Sequence, residues 1–184
     1  MTTTHAAMGL LVAIGVARVD PGVATPVALA AYAGSVAPDL DVFVGQHRHT
    51  LHYPVWYWVV TVPAVGIAVI APSVPTVAAA AFLGCAALHS STDVLGGGLG
   101  VKPWIEDDER GVYSHYHGRW LPPLRYVRWD GAPEDLVFAV ALSAPALLYF
   151  DGVVWTVVVA GLGASVVYTV TRKRLPDLVP GLFT

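Results

Sequence analysis

Four long apolar stretches of this chain carry no charged side chain and no break: Tyr57 to Ala71, Val74 to Leu88, Leu136 to Phe150 and Val153 to Val170. No other feature narrows the fold as much. With its flanking residues, each stretch is about long enough to cross a bilayer. The alternative is a soluble bundle, but four such helices would overfill the core of a 184-residue chain. Composition agrees: 55% of the residues are hydrophobic and 12% charged, and the mean hydropathy is +0.61, above that of ordinary soluble domains. The expectation is an all-α, integral membrane helical bundle. It forms a single domain over residues 1–184, with a polar insertion at about 95–135 between two membrane hairpins.

Positive charge gives the bundle a direction. If the four stretches form two hairpins, Arg48, Lys102, Arg110, Arg119, Arg125, Arg128 and Arg172-Lys173-Arg174 all fall on one side. The hairpin tips Pro72-Ser73 and Asp151-Gly152 carry none, so the basic side reads as cytoplasmic, at the inner membrane of a cell. The apolar stretch from Ala6 to Pro38 is broken by Arg18-Val19-Asp20-Pro21-Gly22 and reads either as a shallow hairpin or as a pair of spans. No removable signal peptide is evident. The lone Cys85 excludes an internal disulfide, and the net charge of −3 gives no basic patch for nucleic acid. Arginine outnumbers lysine eight to two, which suits a GC-rich prokaryotic source.

Against this apolar background the polar residues are grouped. The groups are Pro38-Asp39-Leu40-Asp41, His47-Arg48-His49-Thr50-Leu51-His52, His89-Ser90-Ser91-Thr92-Asp93 and His115-Tyr116-His117, with His5 ahead of the first apolar stretch. Imidazole and carboxylate are the ligand set of zinc, manganese and non-haem iron. His89 and Asp93 are four apart and share one helical face; the blander alternative is a hydrogen bond at a helix end. Asp39 and Asp41 can converge on one cation from an extended loop, although alone they read more readily as a solvated turn or a helix cap. His47 and His52, five apart, cannot share a helical face, so they must straddle a helix start near Pro54. Arg48 is a natural clamp for a phosphate or carboxylate oxygen. His115 and His117 sit among Tyr113, Tyr116 and Trp120 and read as interfacial or surface packing more readily than as accessory ligands or substrate contacts, and His49 takes no assigned role. The acidic run Glu106 to Glu109 reads as a solvated loop, and Gly96-Gly97-Gly98-Leu99-Gly100 as a flexible exit from the His89 helix.

Taken in order, these groups resemble the inner-membrane metal-dependent hydrolases, also described as LexA-binding hydrolases. That family's pattern is an early histidine, Pro-Asp-x-Asp, His-Arg-Gly-x-Thr-His and Ser-His-x-x-x-Asp, with membrane helices between. His5, Pro38-Asp39-Leu40-Asp41, His47-Arg48 with His52, and His89 with Asp93 match it across the first hundred residues. His49, Leu51 and Leu88 depart from it where glycine, threonine and serine are usual, and Tyr53 stands where serine often follows. The family is distantly similar to zinc-dependent phospholipase C and related all-helical nucleases.

The resemblance implies a membrane-bound hydrolase with a divalent metal, zinc foremost and manganese or iron as alternatives. His5, Asp39, His52, His89 and Asp93 would be the metal ligands. Asp41, Arg48 and His47 would be catalytic: Asp41 as bridging ligand or water-orienting base, Arg48 on the phosphoryl oxygens, His47 as a further ligand. The substrate class would be a phosphoester or phosphodiester, lipid-like if it enters sideways from the leaflet. Membrane lipid and a cytoplasmic regulator protein are the implied partners. The alternative is a non-catalytic membrane metal sensor or scaffold binding that regulator. A transport path is disfavoured, because no charged residue lines a route between Tyr57 and Leu88.

Overall fold

Proline and glycine decide where each helix starts and stops. The structure is a computed structural model and describes residues 1–178. Helix α1 (Thr2–Val19) ends at Asp20, whose side chain accepts a hydrogen bond from Gly22 N at 2.9 Å while Pro21 opens a short 3₁₀ turn. The chain reverses there into α2 (Ala24–Val36), and a second 3₁₀ turn (Ala37–Leu40) leads to the short α3 (Asp41–Val44). After a loop, α4 (Trp56–Ile70) begins two residues beyond Pro54, which lies in the preceding turn rather than at the helix start. Helix α5 (Val74–Thr92) opens with a capping box in which Ser73 and Thr76 each satisfy the other's backbone N–H. Helices α6 (Pro133–Tyr149) and α7 (Gly152–Thr171) form a hairpin that turns at Gly152, whose φ of 53° favours glycine. A one-turn α8 (Leu175–Leu178) follows.

Small residues let these helices approach closely. Leu10, Ala13 and Ile14 of α1 bury in one core with Val27, Ala28 and Ala31 of α2, and Ala81 and Cys85 of α5 belong to the same core. At Gly34 of α2 a Cβ would overlap the Phe82 carbonyl of α5, so only glycine permits that contact. Phe150, Val154 and Val158 carry the α6–α7 hairpin into the core. Helix α4 stands outside it: Thr61 is its one buried residue, and Ile70 is 86% exposed. Large apolar side chains likewise stay uncovered along α7, including Val167 and Val170. Among the described residues, four segments are long and apolar enough to cross a membrane: Thr2–Val19, Pro21–Val44, Val74–Leu95 and Gly152–Thr171. This differs from the four stretches expected. The N-terminal pair is long enough because α1 starts at Thr2 and the chain stays helical through both 3₁₀ turns. Helix α4, with 15 residues, is roughly 23 Å long and short of a full crossing.

The polar segment is not wholly helical. It contains an antiparallel hairpin, β1 (Val112–Ser114) and β2 (Arg119–Leu121), with Val112 opposite Leu121 and Gly118 turning at φ 62°. Tyr113 N donates to Arg48 O at 2.9 Å, which docks the hairpin on the loop after α3. The glycine run is a packing seam rather than a free linker. Cβ atoms at Gly97 and Gly98 would strike the backbones of Arg128 and Asp108.

Candidate metal centre

Three pieces of chain meet at one end of the bundle. Pro38 opens the 3₁₀ turn that presents Asp39, and Asp41 follows at the start of α3. The last turn of α5 presents His89, with Asp93 as its C-cap. The loop from Gln46 to His52 folds back on itself: Thr50 N donates to Gln46 O at 3.0 Å, and Gln46 N to Thr50 Oγ1 at 2.8 Å. Arg48 takes a left-handed backbone there, with φ 57°. That reversal brings His47 and His52 to the same carboxylate, Asp41, without a shared helical face. His47 Nδ1 lies 3.0 Å from Asp41 Oδ1, and His52 Nδ1 2.8 Å from Asp41 Oδ2.

Asp39, His52, His89 and Asp93 form a group that could hold a metal ion, with one donor atom from each and all four atoms within 4.8 Å of one another. The spacing can be tested against a coordination shell. Four N or O donors at ~2.0–2.1 Å from zinc make a tetrahedron with edges of roughly 3.3 Å. Five of the six edges here are 2.9 Å (His52 Nε2 to Asp93 Oδ2), 3.2 Å (His52 Nε2 to His89 Nε2), 3.3 Å (His89 Nε2 to Asp39 Oδ1), 3.6 Å (His89 Nε2 to Asp93 Oδ2) and 3.7 Å (His52 Nε2 to Asp39 Oδ1). They bracket the tetrahedral value.

Tautomers point the same way. His52 Nδ1 faces the Asp41 carboxylate, and His89 Nδ1 donates to Ser35 O at 2.5 Å. Both partners accept only, so each neutral ring carries its proton on Nδ1 and turns the Nε2 lone pair inward, the usual arrangement behind a metal-bound histidine. Two imidazole lone pairs then face each other and the carboxylates of Asp39 and Asp93. With both Nε2 atoms unprotonated, the buried Asp93 Oδ2 has no hydrogen-bond donor. Acceptors so close repel unless a cation or extra protons lie between them. Without a metal, protons fill that role. Burial disfavours charge on His52, but hydrogen bonds to Asp41 and Asp93 outweigh it and raise its pKa.

The remaining expected residues occupy distinct places. Asp41 is fully buried and touches His47, His52 and Leu51 N, so it orients the ligand rings rather than joining the donor group. Arg48 is buried and occupied: it donates to Gly97 O at 2.6 Å, pairs with Asp130 at 3.3 Å and holds its Nε 3.6 Å from Asp93 Oδ2. It therefore steadies Asp93. Burial opposes its charge, yet Asp93 and Asp130 raise its pKa further. His5 lies outside the four-donor group, with Nε2 3.7 Å from the other oxygen of Asp93 and its ring 4.1 Å from that of His89. Both its ring nitrogens are buried without hydrogen bonds. His47 is 30% exposed at the edge.

Several contributors have no motif. Thr2 Oγ1 donates to Asp39 Oδ2, and Asp130 receives both Arg48 and the Met1 ammonium, the latter at 2.7 Å. Burial works against ionising Asp130, but these two cations hold its carboxyl well below the usual range. In the sequence Trp129-Asp130-Gly131 reads as an ordinary turn. Compared with known proteins, the chain matches no family model, no curated protein and no solved structure.

Proposed function

We propose that this chain is a metal-dependent hydrolase of the inner-membrane type suggested by its motifs, acting on a phosphoester at the cytoplasmic membrane face. The observation that carries this reading is access. A cavity of about 530 Å³ reaches Asp39 and Asp93 of the four-donor group and is also lined by His47 and Arg48. Two nitrogens and two carboxylate oxygens suit zinc, with manganese or iron as alternatives. Bound there, such a metal would lower the pKa of a water molecule and stabilise charge on phosphoryl oxygens.

The side chains supply the rest. His47 lines the cavity, is partly exposed and has Nδ1 against Asp41, so it is placed to give or take a proton while Asp41 fixes its orientation. Arg48 keeps Asp93 ionised from behind. His5 faces the second oxygen of Asp93 and would help to hold the metal.

One observation favours the sensor reading instead. Four protein donors are enough to close a tetrahedral site, as in structural zinc centres. The discriminating experiment measures metal content and phosphoester turnover in detergent-purified wild type and in a His89→Ala/Asp93→Ala double variant. Bound metal with turnover in the wild type and loss of both in the variant is the expected result. Metal without turnover would favour the sensor; no metal in either protein would overturn both readings.

A further inference from the structure

The cavity does not end at the metal centre. Its other end lies between α2 and α7, walled by Tyr32, Val36, Leu136, Ala139, Gly161 and Ala164. Gly161, Ala164, Ser165 and Tyr168 follow one another at the spacing of one helical face, and the first three are small, so α7 leaves a groove there instead of a packed seam. The Tyr32 hydroxyl would meet a Cβ placed on Gly161, so even alanine would narrow it. Leu40, Val42 and Phe43 form the lip. They flank the buried Asp41 and lie next to Asp39, yet stay uncovered, Phe43 being 77% exposed.

A second cavity of about 610 Å³ lies beyond the polar end. It shares Val42, His47, Asp130 and Tyr168 with the first and is otherwise lined by polar-segment residues such as Gly98, Gly100 and Arg110. A ligand spanning both would have an apolar part between helices long enough to cross a membrane, an anionic centre at Asp39 and Asp93, and a polar part among the loops.

From this continuity we infer that the groove between α2 and α7 is a tail-binding site and that the substrate is a lipid phosphoester, chain in the groove and head toward the second cavity. This rests on the hydrolase reading for the reaction but not for binding. Five carboxylates, Asp39, Asp41, Asp93, Asp130 and Asp135, surround the metal centre against Arg48 and the Met1 ammonium, so a phosphate there needs the metal to be held, while Arg110 and Arg172 line the second cavity beyond it.

The test uses metal-loaded protein in nanodiscs, with methylphosphonate and dodecylphosphonate as non-hydrolysable probes in calorimetric titration. Wild type should bind the long-chain probe roughly a hundredfold more tightly, the worth of a few buried methylenes. Ala164→Trp, which fills the groove from an exposed position, should lose that advantage at unchanged metal content. Val170→Trp, half a turn of the helix away from Gly161 and 75% exposed, should keep it. Equal affinity for the two probes, binding of neither, or an advantage that survives Ala164→Trp would overturn the tail site. Chain-dependent binding without turnover of any phosphoester would leave the tail site standing and remove the hydrolase.

Discussion

Histidines gather in two places, and the two gatherings are built differently. At the bundle end His5, His52 and His89 meet Asp39 and Asp93, with nitrogens pointed at acceptors that cannot donate to them. On the polar segment His49 and His115 pack into rings: His49 lies 4.2 Å from Tyr113, His115 stacks on Tyr53 at 4.5 Å, and Trp120 closes the group. There His115 Nε2 donates to His49 O at 2.7 Å, and among the described residues no carboxylate pairs with either ring. Histidine density alone therefore says little. What separates a candidate ligand sphere from an aromatic cluster is the carboxylates between the rings and the Nε2 atoms that face them.

The largest expected effect would break this contrast if it failed. His52→Ala should reduce bound metal to less than about a tenth of wild type, because a distorted three-donor site holds a divalent ion far less tightly. His115→Ala should leave metal content unchanged. Elemental analysis of both variants decides it, and comparable losses would mean the two clusters are not distinct in kind.

A smaller effect sharpens the role of the carboxylate behind the rings. Asp41→Asn should keep the fold and the four donors while metal affinity drops about 10–100-fold, the usual worth of a group that orients a ligand. Competition with a graded chelator measures this. An unchanged affinity would show that Asp41 contributes only packing.

The smallest effect concerns pH. The raised pKa of His52 stabilises the metal-free protein fully below the unfolded histidine value of about 6.5. That contribution is lost as pH rises through the higher folded value. Metal binding needs the neutral ring, so the loaded protein should gain stability over the same rise. Melting curves with and without chelator should show opposite slopes; parallel slopes would separate His52 from the metal.

The sequence makes some of this legible and hides the rest for identifiable reasons. The apolar runs are readable as helices because length and hydropathy are local properties, and His89 with Asp93 is readable as one face because helical spacing is fixed. The alternation at Asp39 and Asp41 suggests two carboxylates converging on one ion, but the turn through Leu40 sends Asp41 behind the rings instead. The loop reversal at Arg48 depends on a left-handed backbone that an arginine does not advertise. Asp130, the Ser35 carbonyl and Thr2 are brought to the centre by tertiary packing, which no spacing encodes. The hairpin at Val112–Leu121 is too short to leave a periodic pattern.

The bracket that Arg48 makes has a bearing on biogenesis. Its guanidinium reaches Gly97 O, Gly111 O, Asp130 and the vicinity of Asp93 at once, so one side chain ties the loop after α3 to three later parts of the chain. Every donor of the four-residue group has been synthesised once Asp93 is made, yet the support behind that aspartate is incomplete until Asp130 has followed and the hairpin has docked. Asp41 and the Ser35 carbonyl can set His52 and His89 before the polar segment exists, whereas the bracket behind Asp93 waits for that segment to fold.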